Sequence, residues 1–319
     1  MKRWVGKVLI FLLFISLAGC NGLNQKDTSG FTDTKLKFLG EPHSAVSILK
    51  AAYGKGPNGE DVIFAGSTGE TSTFNVVDAK TGEMLSSHLL QGEPQVWGTV
   101  VSPDGNVYFS AGASLYRYMP AFDKVERVGK PIDTEKVLWH ITVDEEGKIY
   151  GTTYPNGKVF MYDPLAEEFT DYGTMVEGQQ YTRSIAYHDG MIYVGTGSEA
   201  HLVKLNPLTG NIAEIELPGR YQSESFVYDL DAVEGYLYAR VTDSATLLVY
   251  DLEEEVWIDE ISDVKGITVS TASSDHLVYF TKSDELHAYD PKKRSLFPTG
   301  FRDSWANKGF GWIELNEPG

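Results

Sequence analysis

The sequence predicts an all-β fold, and three observations support this prediction. Strand-forming and turn-forming residues are frequent, with 18 Tyr, 15 Phe and 32 Gly among 319 residues. No long stretch after residue 20 repeats its apolar residues at the helical period of about 3.6. A short strand-like segment also recurs along the chain at nearly constant intervals, so the strands belong to a repeat.

The recurring segment is a compact strand with an aromatic residue at its second position. Its six copies start 44, 42, 43, 45 and 41 residues apart, at Ile63, Val107, Ile149, Ile192, Leu237 and Val278. Most copies follow a turn pair such as Asp104-Gly105, in which glycine supplies the positive φ that a tight hairpin needs. Another strand, a turn with Pro or Gly and a fourth strand complete each unit. Four strands per unit are typical of a β-propeller blade, whereas a β-sandwich does not keep one register over six units.

The prediction is therefore a β-propeller with six complete four-stranded blades and an incomplete seventh. Residues 36–42 resemble an outer strand and residues 310–315 an inner strand, so the two ends of the chain would share one blade. The two middle strands of that blade are missing, which indicates either a truncated seven-bladed fold or six blades closed by a two-stranded seam. Pairing of residues 310–315 with 36–40 would favour the seam.

The repeats resemble those of the YVTN, gluconolactonase-like and streptogramin-lyase-like bacterial propellers over residues 35–319. The fragments that carry the resemblance are Asn206-Pro207-Leu208-Thr209-Gly210-Asn211-Ile212 and Val101-Ser102-Pro103-Asp104-Gly105-Asn106-Val107-Tyr108. The resemblance implies the fold but little about activity, because these motifs form strands and turns. Catalytic or metal-binding residues of those groups have no matching motif here, and Ala52 stands where an acidic residue would support a gluconolactonase-like metal site.

The N-terminus predicts an exported lipoprotein. Three positive charges in residues 1–7 precede an apolar run over 8–18, which is shorter than the roughly 20 residues of a membrane-spanning helix. Leu17-Ala18-Gly19-Cys20 resembles the lipobox that is cut before a lipidated cysteine, and Cys20 is the only cysteine. We expect a signal peptide over 1–19, lipidated Cys20 and a flexible tether over 20–34, and the propeller over 35–319. A plain secreted protein is the alternative.

Composition argues against several classes of ligand. The formal net charge of −18 disfavours nucleic-acid binding, which needs basic patches. The histidines fall at different registers of the repeat and show no metal-ligand spacing, so no metal site is expected. No glycine-rich phosphate loop or nucleophile elbow is present, and we expect no cofactor.

Candidate site residues come from the start of each inner strand, which lines the mouth of a propeller channel. His140, Arg183 and Tyr228 occupy equivalent positions in three consecutive blades and are the candidate catalytic residues. Arg183 would neutralise a substrate carboxylate, and His140 or Tyr228 would take the adjacent proton. Four aromatic side chains are candidate ligand-binding residues: Trp97, Trp139, Tyr181 and Trp305. The alternative is that these residues fill the channel with hydrogen bonds and water.

Two functions are compatible with these residues. The first is a non-enzymatic propeller, held at the cell membrane by lipid on Cys20 and facing outside the cytoplasm, that binds an envelope protein or a glycan. The second is a polysaccharide lyase that acts on a glycan containing uronic acid. The absence of a recognised catalytic motif favours the binding function, and convergence of the three candidate catalytic residues on one cavity would favour the lyase.

Overall fold

The computed structural model describes residues 47–69, 72–264 and 268–302, and it confirms the all-β propeller. Six antiparallel sheets follow one another along the chain, five with four strands and the last with three. In the last sheet residues 268–273 run beside the first strand, where Ser270 N donates to Tyr279 O at 2.9 Å. The segments predicted to share a seventh blade lie outside the described residues, as do Cys20 and Trp305.

Each sheet is one blade, and its strands pair in the order in which they occur in the chain. Blade one contains Ser47–Lys55 (β1), Asp61–Thr68 (β2), Thr73–Asp78 (β3) and Met84–Leu89 (β4). Blade two contains Val96–Val101 (β5), Val107–Ala111 (β6), Ser114–Met119 (β7) and Lys124–Gly129 (β8). Blade three contains Val137–Val143 (β9), Ile149–Tyr154 (β10), Lys158–Asp163 (β11) and Glu168–Thr174 (β12).

Blade four contains Tyr181–His188 (β13), Met191–Gly197 (β14), Leu202–Leu205 (β15) and Ile212–Ile215 (β16). Blade five contains Val227–Val233 (β17), Tyr236–Val241 (β18), Thr246–Asp251 (β19) and Val256–Ile261 (β20). Blade six contains Val278–Lys282 (β21), Glu285–Asp290 (β22) and Ser295–Arg302 (β23). Two short 3-10 helices occur at Pro120–Phe122 and Gly219–Tyr221. The first strands of blades one to five pack side by side around the channel.

The turn residues act as their sequence indicates. Asp189 and Gly190, between β13 and β14, have φ values of 44° and 75°, as expected for a tight hairpin with positive φ at both central positions. In the turn after β11, Asp163 Oδ1 accepts hydrogen bonds from the backbone N–H of Leu165 and Ala166 at 2.8 and 3.2 Å. Local side-chain chemistry therefore fixes the turns that separate the strands.

The hydrophobic core consists of five clusters, each shared by two consecutive blades. In the cluster between the first two blades, the ring of Phe74 on β3 stacks on that of Phe109 on β6, with centroids 4.3 Å apart. Both side chains are fully buried. Because each blade buries its apolar surface on its neighbours, the blades stabilise one another as the units of a repeat protein do.

Buried or half-buried polar side chains before the inner strands hold the hairpins between the second and third strands of the same blade. Glu135, which is fully buried, accepts hydrogen bonds from Asn156 N at 3.1 Å and Asn156 Nδ2 at 2.6 Å. Glu224 accepts from Ser244 N at 3.1 Å in blade five, and Gln179 Oε1 accepts from Glu199 N at 3.0 Å in blade four. Each of these contacts attaches the loop that precedes an inner strand to a hairpin of the blade that this strand begins.

Substituting Glu135 with alanine is expected to lower the free energy of unfolding by about 1–3 kcal/mol. The substitution removes two hydrogen bonds from Asn156 to a fully buried carboxylate, and hydrogen bonds to a charged group contribute more than neutral ones. Urea denaturation followed by tryptophan fluorescence measures the change. Glu168→Ala, at an exposed position of β12 in the same blade, is the matched control, and equal losses in the two variants would contradict the prediction.

Candidate functional site

Arg183 lies at the centre of the channel mouth and is enclosed by aromatic rings. It belongs to β13, and only 5% of its surface is exposed. Its guanidinium carbon lies 4.1 Å from the ring centroid of Tyr228, 5.1 Å from that of Trp139 and 5.3 Å from that of Trp97. These distances are those of cation–π contacts, which strengthen when the cation is removed from water.

His140 lies beneath Arg183 and forms the next link of a buried polar chain. Arg183 Nη1 donates to His140 Nε2 at 3.1 Å, which places the ring proton on Nδ1. Burial first, and then the positive charges of Arg183 and Lys50, hold the pKa of His140 well below its usual value. The imidazole is therefore neutral at neutral pH and accepts the hydrogen bond of Arg183 without charge repulsion.

Asp229 ends this chain on the opposite side of the imidazole. Its Oδ1 lies 3.3 Å from His140 Nδ1, and the carboxylate is only 2% exposed. Neither carboxylate oxygen accepts a well-formed hydrogen bond from the described residues. Burial raises the pKa of Asp229 to about 6, although Lys50, Arg183 and Arg240 oppose that shift. Three side chains from three consecutive blades thus form one buried Arg–His–Asp row.

An arc of half-buried aromatic rings surrounds Arg183 at the mouth. We call this set the aromatic arc: Trp97, Trp139, Tyr154, Tyr181, Phe226 and Tyr228. Its neighbouring ring centroids lie 4.6 to 6.4 Å apart, which is the range of favourable aromatic pairs. The indole N–H of Trp97 donates to Gln95 Oε1 at 2.8 Å, whereas the buried indole N–H of Trp139 has no acceptor among the described residues.

A channel cavity of about 330 Å³ lies among the inner segments of all six blades. Its lining includes Lys50 on β1, Thr99 on β5, Thr142 on β9 and Asp231 on β17. Behind Asp231 is a water-sized void of about 10 Å³, which Asp229 and Arg240 also line. The Arg–His–Asp row and the channel cavity therefore adjoin through the carboxylates of one strand, β17.

Solved structures with a similar fold include lyases and a chain of a protein complex. A catalytically inactive virginiamycin B lyase from Staphylococcus aureus with quinupristin aligns with a TM-score of 0.65 at 11% identity, over 82% of this chain and 86% of that one. A streptogramin B lyase gives 0.56 at 14% identity, over 69% and 72% of the two chains. A chain of a nidogen/laminin complex gives 0.53 at 12% identity, over 72% and 85%.

This chain has a β-propeller fold that is similar to the fold of these lyases. No protein family and no curated protein matches its sequence. At identities of 11 to 14%, the structural similarities establish the fold alone. What this propeller does has to be argued from its own side chains.

The propeller brings five of the proposed site residues to one place. His140, Arg183 and Tyr228 lie around the Arg–His–Asp row, and Trp97 and Trp139 cover it. Tyr181 lies in the aromatic arc, 4.6 Å from Tyr154 by ring centroids. The three candidate catalytic residues converge on one another, yet none of them lines the channel cavity.

Several residues of the propeller's site were not proposed from the sequence. Tyr154 and Phe226 reach the aromatic arc from outside the repeat positions that define the channel. Asp229 and Asp231 alternate with Leu230 along β17, and aspartate is depleted in strands. Two aspartates in an otherwise apolar strand were therefore the available signal for the buried carboxylates.

The described residues of the propeller, 47–69, 72–264 and 268–302, contain neither a metal-binding cluster nor a membrane-spanning helix. No group of three or more His, Cys, Asp or Glu side chains in this part of the chain has an arrangement suited to a metal ion. Within the same described ranges, no helix has the length and apolar character needed to cross a membrane.

Proposed function

We propose that this propeller is a ligand-binding protein that holds a protein or glycan ligand on its aromatic arc. The proposal rests on the six half-buried rings of the aromatic arc at one end of the channel. The buried guanidinium of Arg183 lies in contact with three of these rings. Trp and Tyr combine a large apolar face with a polar edge, which makes them frequent at binding surfaces.

The geometry favours binding over catalysis at this position. A general base has to reach its substrate with a free lone pair, but His140 is 4% exposed and its Nε2 already accepts from Arg183. Arg183 is itself 5% exposed beneath the rings. Polysaccharide lyase activity remains the second candidate, because His140, Arg183 and Tyr228 do lie together and would need only a rearrangement of the covering rings to meet a uronic acid.

We further propose that the propeller works outside the cytoplasm, attached to the cell membrane by lipid on Cys20. The charged start, the short apolar run and the lipobox-like residues 17–20 support this placement. Retention of radiolabelled palmitate by the wild-type chain, and its loss in Cys20→Ser, tests it. An unlabelled wild-type chain would contradict the anchor without affecting the ligand proposal.

Replacing Trp139 with alanine is expected to weaken ligand binding by tenfold or more, because central tryptophans carry a large share of the binding energy at such surfaces. Titration of neutral and uronic-acid polysaccharides into the wild-type chain, followed by tryptophan fluorescence, identifies the ligand and gives the affinity. Trp257→Ala, on β20 in the outer part of blade five, is the matched control and should bind as the wild type does.

The same polysaccharide panel separates the two candidate functions. Binding without chemical change supports the binding protein, whereas a rise in ultraviolet absorbance from unsaturated uronates would establish the lyase instead. If no polysaccharide binds, the glycan form of the proposal is wrong. Co-purification of envelope proteins with the wild type but not with Trp139→Ala then tests the protein form, and identical recovery with both variants would contradict it.

A further inference from the structure

The channel cavity has the size and the mixed lining of a small-molecule site, and it is separate from the aromatic arc. Its volume of about 330 Å³ falls within the usual range of ligand pockets, about 300–1,000 Å³. Thr271 on its lining is exposed, so the cavity communicates with solvent. Much of its wall is apolar, formed by Ala51, Ala52, Val100, Val101, Ile141, Ile185 and Leu230.

Three polar side chains lie on this wall. The ammonium of Lys50, which is half-buried, makes no hydrogen bond or ion pair with the described residues. Asp231 is also half-buried, and its Oδ2 accepts from Val269 N at 2.9 Å. Thr99 is only 2% exposed, and its Oγ1 is buried without a hydrogen-bond partner among those residues. Lys50 and Asp231 are therefore the polar side chains that an occupant of the cavity would meet first.

The charges around the cavity favour an anion, although the chain as a whole carries a net charge of −18. Asp231 faces Asp229 on its own strand, Lys50 on β1 and Arg240 on β18. Burial, together with the charge of Asp229, raises the pKa of Asp231 to about 7. Near neutral pH the two carboxyls therefore hold protons for part of the time, which reduces the negative charge that opposes the basic side chains of Lys50 and Arg240.

We propose that the channel cavity binds a small organic carboxylate, with Lys50 against the carboxylate oxygens and with Asp231 donating a hydrogen bond to them. The apolar wall accommodates a short hydrocarbon body, and the cations attract the charge into a site of low dielectric constant. The proposal concerns a different site from the aromatic arc and does not depend on the ligand bound there.

This arrangement makes binding depend on pH in a defined direction. Asp231 donates to a carboxylate only in its protonated form, and deprotonation adds a negative charge that repels the ligand. With a pKa of about 7 for Asp231, the protonated fraction falls about tenfold between pH 6 and pH 8. The affinity for a carboxylate should fall by the same factor over that interval.

The test uses the full chain in detergent and saturation-transfer NMR with lactate as the anionic probe and methylammonium as the cationic probe. We expect lactate to bind and its affinity to fall about tenfold from pH 6 to pH 8. Lys50→Met should weaken lactate binding at least tenfold, whereas Lys80→Met, at an exposed turn in the same blade, should not change it. Stronger saturation of methylammonium than of lactate, or no lactate signal, would overturn the proposal.

Two conservative variants keep the test decisive if Lys50→Met unfolds. Asp231→Asn imitates the protonated acid, because its carbonyl oxygen can accept from Val269 N while its NH₂ group donates into the cavity. It should bind lactate as tightly as the wild type at pH 6 and should lose the pH dependence. Thr99→Val keeps the shape of the side chain and removes only a hydroxyl that is buried away from the cavity, so this second variant is a control that should bind lactate as the wild type does. A wild-type pH profile in Asp231→Asn would contradict the role of that residue.

Discussion

Replacing Phe109 with alanine is expected to lower the free energy of unfolding by about 3–5 kcal/mol. Phe109 is fully buried on β6, where its ring lies 4.3 Å from that of Phe74 in the preceding blade and 5.4 Å from that of Tyr116 in its own. Truncation removes the stacking and leaves a cavity between two blades that closely packed strands cannot close. Urea denaturation, followed by tryptophan fluorescence, measures the loss.

The control for this substitution is Phe122→Ala. Phe122 lies in the turn after β7 of the same blade and is 76% exposed, so its removal should change the free energy of unfolding by no more than about 0.5 kcal/mol. Amide hydrogen exchange adds a positional test. In Phe109→Ala, protection should fall first in blades one and two, because the core cluster that contains Phe109 belongs to these blades. A uniform loss of protection over all blades would contradict the assignment of each core cluster to two neighbouring blades.

The sequence predicted the blades well because the signals that define a blade are local. The turn between β13 and β14 needs two adjacent positive φ values, which Asp189-Gly190 supplies, and Asp163 binds backbone N–H groups only two and three residues away. Glu135 and Asn156 show the limit of this approach. They are 21 residues apart, and only the folded blade brings the carboxylate to the hairpin.

The candidate site was predictable to the level of strand position but not of side-chain contact. The repeat register selected His140, Arg183 and Tyr228 because equivalent positions of neighbouring blades converge on the axis of the ring. It could not show that Arg183 turns to His140 beneath three rings, since that depends on rotamers and on burial. Asp229 and Asp231 were not selected because the repeat register picks one residue in each blade. In blade five that residue is Tyr228, and the two aspartates follow it along β17.

Replacing Arg183 with alanine is expected to lower the free energy of unfolding by about 3 kcal/mol and to weaken binding at the aromatic arc more than tenfold. The guanidinium supports the rings of Trp97, Trp139 and Tyr228 and gives His140 its hydrogen bond. Arg183→Lys should recover little, because an ammonium lacks the planar face that stacks on rings. Chemical denaturation and ligand titration measure the two effects.

The pH dependence of stability distinguishes the specific role of Arg183 from a simple loss of packing. Because the pKa of His140 is held below its usual value in the folded chain, the contribution of His140 to stability is lost as the pH drops below about 6.5. Without Arg183 the pKa of His140 rises towards that value, so acid should remove less of this contribution. The pKa of Asp229 also rises when Arg183 is removed, and that change acts in the same direction.

Arg117→Ala is the matched control for this pH profile. Arg117 pairs with Glu126 across β7 and β8 at the outer part of blade two, so its removal eliminates one arginine without changing the surroundings of His140. Its stability between pH 7 and pH 5 should parallel that of the wild type, apart from a constant offset. Equal slopes in Arg183→Ala and Arg117→Ala would mean that Arg183 serves only to fill space. If stability changes more favourably from pH 7 to pH 5 in Arg183→Ala than in the wild type, and in that variant alone, the buried Arg–His–Asp row acts as an electrostatic unit in which Arg183 helps to keep His140 neutral beneath the aromatic arc.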